Sequence, residues 1–227
     1  MIAQRRQFPD RQYNVSMSVL WMAGMAAPII FVGSFLVQGL FRGDYNPLSM
    51  YISALSLGEY GWLQIASFIT LGLLLLIFSF GVIRRFPTGK AARAEPVILI
   101  LSALCFLFSG PFIMDPQGTP ITQASAHGLV HSILGAIVFL LMPITCFIYY
   151  RRFRSDQAWK AMSSWTLIAG ILISAALAVF SVISKNPDLE RSFSAVLGLL
   201  QRSVIIPYMI WLFTLALVLY KSRLKIR

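Results

Sequence analysis

Two histidines, His127 and His131, are the only ones in this 227-residue chain, and they stand four apart in Ala126-His127-Gly128-Leu129-Val130-His131. On a helix that spacing puts both imidazoles on one face, continued by Gly135 and Phe139, with His131 about 6 Å further along the axis. Upstream, Asp115 stands in the turn-rich run Asp115-Pro116-Gln117-Gly118, which carries no Lys or Arg. His127, His131 and Asp115 together make a three-ligand set suited to zinc. A metal with an open fourth position holds a water whose pKa falls to about 7, and hydroxide becomes available for hydrolysis. Without a metal, Ser53, His131 and Asp115 supply the nucleophile, base and orienting acid of a catalytic triad. The same residues also have plainer uses. Asp115 can cap its own turn, and histidines at this depth can bond neighbouring carbonyls or serines.

Arg202, preceded by Gln201, lies about two turns into an apolar run. A charge there needs a partner or a route to the interface, and Asp115 is a candidate partner. If the span instead begins just after it, Arg202 is an ordinary interfacial anchor. Ser49, Ser53 and Arg202 would offer hydrogen bonds and a positive charge to an anionic headgroup. The two serines belong to the segment Arg42 to Gly58, where Asn46-Pro47 is a helix start and Gly58 a stop. Leu48, Tyr51, Ile52 and Leu55 would share one helical face, with Ser49, Ser53 and Ser56 on another. That pattern predicts a short amphipathic helix at the outer surface or dipping between spans, where it could also be an interfacial lid without chemistry.

The elements that must hold these residues are membrane helices. Hydrophobic residues make up 58% of the chain and charged ones 12%, more apolar surface than one soluble core of this length can hide. The apolar residues fall in six runs, about 19–41, 62–83, 96–114, 127–150, 162–184 and 196–220, each read as a crossing of a layer roughly 30 Å thick. In lipid the backbone must pair within its own segment, so the fold class is an all-α polytopic bundle in one domain, residues 1–227. Prolines 28, 111, 143 and 207 interrupt four of the spans, and Gly170, Ser174 and Ala178 give the fifth a smooth packing face. The first run is too long, and its small residues too central, for a cleaved signal peptide.

Fifteen of the nineteen Lys and Arg residues fall on one side of this arrangement, leaving Arg42, Lys185, Arg191 and Arg202 on the other. The asymmetry predicts both termini in the cytoplasm. Clusters at the ends of apolar runs are topology signals, and they argue against nucleic acid as the partner of the +11 charge. Cys105 and Cys146 lie at different depths and read as small buried hydrophobes, not a bridge.

The run Asn46-Pro47-Leu48-Ser49 through Ile52-Ser53-Ala54-Leu55, with a Gly-containing second span, resembles a bacterial six-helix membrane family, the domain of unknown function 998. So does Gly110-Pro111-Phe112-Ile113-Met114-Asp115-Pro116, followed by Thr122 and then His127 or His131. The resemblance implies a six-helix fold, a multi-pass place in a bacterial plasma membrane, and Ser53, Asp115 and His127 as polar marks. A fainter likeness is to metal-dependent hydrolases of the alkaline-ceramidase type, which use three histidines with an Asp and a Ser; this chain has two histidines.

Two functions compete on this reading. In one, an outward-facing polar pocket binds a lipid or other small amphiphile. In the other, a metal-dependent hydrolase, with zinc the implied cofactor, acts at the outer leaflet. Conventional transport lacks an inverted repeat or paired broken helices. Haem-based electron transfer lacks ligands on opposite faces of a porphyrin.

Overall fold

The computed structural model of the chain describes residues 10–86 and 94–222. Among them are the helices α1 (Asp10–Phe41), α2 (Gly61–Arg85), α3 (Ala94–Ser109), α4 (Ala126–Arg154), α5 (Lys160–Lys185), α6 (Pro187–Ser192) and α7 (Leu197–Ser222), and no strand. Of the basic residues behind the orientation argument, Arg5, Arg6, Lys90, Arg93, Arg223, Lys225 and Arg227 lie outside the described residues.

Five stretches, Met17–Phe41, Gly61–Arg85, Ala126–Arg154, Lys160–Lys185 and Ser194–Ser222, are long and apolar enough to cross a membrane. The sixth apolar helix is shorter: the 16 residues of α3 cover about 24 Å, against a hydrocarbon layer of roughly 30 Å. The sequence reading carried this segment on to Met114, with Pro111 as an interruption. The helix stops at Ser109 instead. Pro111 has no N–H to give, and its ring drives Gly110 away from helical angles. Pro28, Pro143 and Pro207 do lie inside α1, α4 and α7.

The long helices close a ring in chain order. α1 packs on α2, α2 on α3, α3 on α4, α4 on α5 and α5 on α7, and α7 returns to α1. Aromatic side chains fill the middle. Phe31 meets Phe35, Phe68 and Phe106, and Tyr149 and Tyr208 both pack on Trp211. Large apolar side chains such as Ile133, Leu140, Leu172 and Val182 point outward, where a bilayer is their natural solvent. Lipid tails give helices no hydrophobic reason to associate, so this ring depends on close fit. Gly170 supplies part of that fit: a Cβ there would lie 3.2 Å from the Cβ of Cys146, whereas Ala178 on the same face is exposed. Cys105 and Cys146 are buried and unbridged.

The segment joining α1 to α2 is not the single amphipathic helix its pattern predicts at the surface or between spans. Asn46 does cap its start, its Oδ1 accepting the Leu48 N–H at 2.9 Å, and Gly58 ends it at a positive φ of 76°. Between them lie one turn, closed by Met50 N–H to the Asn46 carbonyl at 2.8 Å, and a 3-10 helix, Ile52–Ser56, buried throughout. The backbone groups that a longer helix would pair internally are bonded elsewhere. The Leu48 carbonyl accepts from Leu199 N–H, and the N–H groups of Tyr51 and Ile52 go to side chains of Gln117 and Gln201. Tertiary hydrogen bonds have displaced local ones.

Candidate functional site: the loop end of the ring

At one end of the ring, loop 42–60 folds over the helices and is held by two arginines. Arg42, at the end of α1, donates from Nη1 to the carbonyls of Leu55 (2.8 Å) and Leu57 (3.0 Å). Its other edge makes a fork with Asp44, Nε to Oδ1 at 3.0 Å and Nη2 to Oδ2 at 2.5 Å. The hydrogen bond and charge of Arg42 hold the Asp44 carboxyl below the ordinary carboxylate range.

Arg202 does the same from the neighbouring helix α7. Its Nη1 donates to the carbonyls of Met50 (3.1 Å) and Gly198 (2.8 Å), and its Nη2 to the Tyr45 hydroxyl. The guanidinium also lies near the rings of Phe35 and Tyr45. Arg202 is thus buried within the protein, and its partners are carbonyl dipoles, a phenol and aromatic faces. Asp115, the partner suggested by the sequence, is not bonded to it. Burial raises the Tyr45 phenol above its usual pKa, with Arg202 pulling the other way. Burial and then Glu190 push Tyr51 up to about 12. Both phenols therefore keep their protons at neutral pH.

Gly198 is what lets the loop come so close. A Cβ there would stand 2.2 Å from the Met50 oxygen and 2.7 Å from the Pro47 oxygen, both backbone atoms. With no side chain at 198, the Leu199 N–H, one of the unpaired donors of a helix start, reaches the Leu48 carbonyl at 2.9 Å. Gln117 adds a second tether, its Nε2 donating to the Ser49 carbonyl at 3.2 Å while its Oε1 accepts from Tyr51 N–H at 3.2 Å.

Asp115 belongs to the start of α4. Its Oδ2 accepts the Ser125 N–H at 2.9 Å, and its carboxylate occupies the space that a Cβ on Gly128 would need. Ser125 is itself the N-cap, its hydroxyl accepting the Gly128 N–H at 2.9 Å. A carboxylate is well placed against the positive end of a helix, so Asp115 caps α4 across ten residues. His131 is buried, and its Nδ1 lies 2.7 Å from the Phe112 carbonyl. A carbonyl only accepts, so Nδ1 carries the proton, and the histidine fastens the turn after α3 to α4. His127 is exposed, its ring 5.5 Å from that of Phe112.

The sequence-derived candidates are therefore gathered at one end, but not as a ligand set. No group of three His, Cys, Asp or Glu side chains able to hold a metal ion occurs among the described residues. His131 is taken up by the Phe112 carbonyl and Asp115 by the Ser125 N–H, and with His127 they do not fit a bound zinc. Ser53 is buried in the 3-10 helix, and no hydrogen bond joins it to His131 or Asp115. Sequence reasoning missed Tyr45 and Gln117 as clamp residues and passed over Gln201. The available signal was Gln201-Arg202 itself, two adjacent polar residues in an apolar run that each needed a partner.

Several long apolar helices closed into a ring, with a hydrogen-bonded loop over one end, define a multi-pass membrane protein of the helical class. The chain belongs to the family described as Protein of unknown function (DUF998), which matches residues 25–218. No curated protein and no solved structure matches it, and the fainter likeness to alkaline-ceramidase-type hydrolases finds no support.

Proposed function

We propose that the chain spans the membrane six times with both ends inside, and that its loop end, facing out, binds the polar part of a lipid or other amphiphile. The observation that supports binding there is the make-up of that end. A hydrogen-bonded loop, tied to Gln117 and to α7, is ringed by exposed apolar and aromatic side chains, among them Phe41, Leu48, Tyr60, Trp62 and Ile121. One surface thus offers polar groups and apolar contact together, which is what an amphiphile needs at a bilayer boundary. The distribution of Lys and Arg supports the orientation, and α3 serves as the sixth span.

The hydrogen bonding narrows the groups that meet the headgroup. Arg202 and Ser53 are committed inside the loop, so their part in binding is to hold its shape. His127, exposed beside Phe112, and half-buried Ser49 are the side chains positioned to touch a ligand. Native mass spectrometry of the full chain in mild detergent tests this, with wild type beside His127→Ala. The expected result is a retained lipid in the wild type that is depleted in the variant, with thermal unfolding unchanged. Equal lipid retention in both, or none in either, overturns the reading.

A further inference from the structure

A second polar cluster, buried and unrelated to the loop, runs from the basic end of the ring to its middle. Glu95 at the start of α3, Tyr149 in α4 and Tyr208 in α7 are each at most 1% exposed. Their side chains carry unpaired atoms: Glu95 Oε2, Tyr149 Oη and Tyr208 Oη lack hydrogen-bond partners, and so does Nε of Arg152. Buried polar groups in native proteins are paired with protein or with ordered water, so four orphans in one region need a shared explanation.

The groups lie within electrostatic reach of one another. Tyr149 feels both Glu95 and Tyr208, and Glu95 feels Arg152, with no salt bridge between those two. The rings of Tyr149 and Tyr208 pack on the same indole, Trp211, at 5.4 and 5.8 Å between centroids. That indole is already satisfied, its Nε1 donating to Thr166 at 3.1 Å. Tyr208 lies near the hydroxyls of Thr145 and Ser102, whose protons go to the carbonyls of Leu141 and Ile98 in their own helices. Those two hydroxyls have lone pairs to offer, and three helices thus aim a carboxyl, two phenols and two acceptor hydroxyls into the centre of the ring. At the mouth, Arg152 lines an open depression of about 340 Å³ with Ser155, Asp156 and Gln157.

We propose that this cluster is an internal water site. Bound water bridges Glu95, Tyr149 and Tyr208, and reaches them from the basic end past Arg152. A water with about three polar neighbours satisfies them all. The site is separate from the proposed amphiphile surface and does not depend on it.

Hydroxyl-radical footprinting by X-ray pulses tests the site on the full chain in lipid nanodiscs, because radicals form on waters held inside a protein. Tyr149 and Tyr208 are expected to be labelled although both are sealed from bulk solvent. Trp21 and Phe31, equally buried but among apolar neighbours, stay unlabelled. Glu95→Gln keeps the side-chain shape and replaces the carboxyl by an amide, and it is expected to lower Tyr149 labelling severalfold. Tyr149 and Tyr208 as silent as Phe31 in the wild type would overturn the proposal without recourse to any variant. Labelling that is strong but indifferent to Glu95→Gln would overturn the role given to the carboxyl.

Discussion

Replacing Arg202 by methionine tests how much of the loop end rests on one side chain. The change keeps the length and apolar stem but removes the donors to the Met50 carbonyl and the Tyr45 hydroxyl. The Gly198 carbonyl lies within α7, where the helix still offers it a donor, and Tyr45 can still donate to the Met50 and Tyr51 carbonyls. Two charge-assisted bonds across the loop are therefore lost, each worth about 1.5–3 kcal/mol. Part returns because methionine carries no charge to desolvate, which leaves a net cost of about 2 kcal/mol. At 1.4 kcal/mol per tenfold, loop opening should rise about 30-fold. Hydrogen exchange in nanodiscs reads this directly at the amides of Met50, Ile52 and Leu57, with α2 and α5 as unchanged references. Arg202→Lys, a point charge unable to span both partners, is expected to fall in between. If exchange across 46–57 is unaltered in Arg202→Met, the clamp account is wrong.

Gly198→Ala should release the same loop by another route, since its Cβ would meet two backbone oxygens that cannot rotate away; about 1–3 kcal/mol of overpacking should appear as a lower unfolding midpoint with the same exchange pattern. Gln201→Leu leaves the buried Ile52 N–H, now bonded at 2.7 Å, without an acceptor, and should cost about 1–3 kcal/mol by denaturant titration in detergent. Tyr51 should make the loop sensitive to alkali. Its phenol is raised from 10.0 to about 12, so the closed form is fully stable below pH 10 and weakens as pH climbs towards 12, and Tyr51→Phe should remove that loss from exchange measured against pH. In the bundle, Gly72→Ala should lower the midpoint, because its Cβ would stand 2.6 Å from that of Leu107, whereas Gly135→Ala meets nothing within 4 Å and should raise it slightly.

The helices were legible because lipid leaves the backbone one solution, and long apolar runs announce it. Their ends were less so: α3 stops short because Pro111 carries more weight than the apolar residues beyond it. Arg202 was visible as a charge that needed a partner. Its partners were not, because carbonyls and one tyrosine do the work that an acidic residue was expected to do. The loop misled in a related way. Its local pattern is that of an amphipathic helix, and only contacts with Gln117, Leu199 and Gln201, far along the chain, undo it. The Glu95 cluster left no local trace. One acid at a helix start and two tyrosines in apolar runs look unremarkable until three helices bring them together.

The most direct test of amphiphile binding at the loop end is photocrosslinking with a phospholipid that carries a diazirine beside its headgroup, followed by peptide mapping. The account predicts crosslinks concentrated near Phe112, Ile121 and His127, and competed by unlabelled lipid. Crosslinks spread evenly over the outward faces of the helices, or confined to the basic end around Phe86 and Trp159, would contradict it.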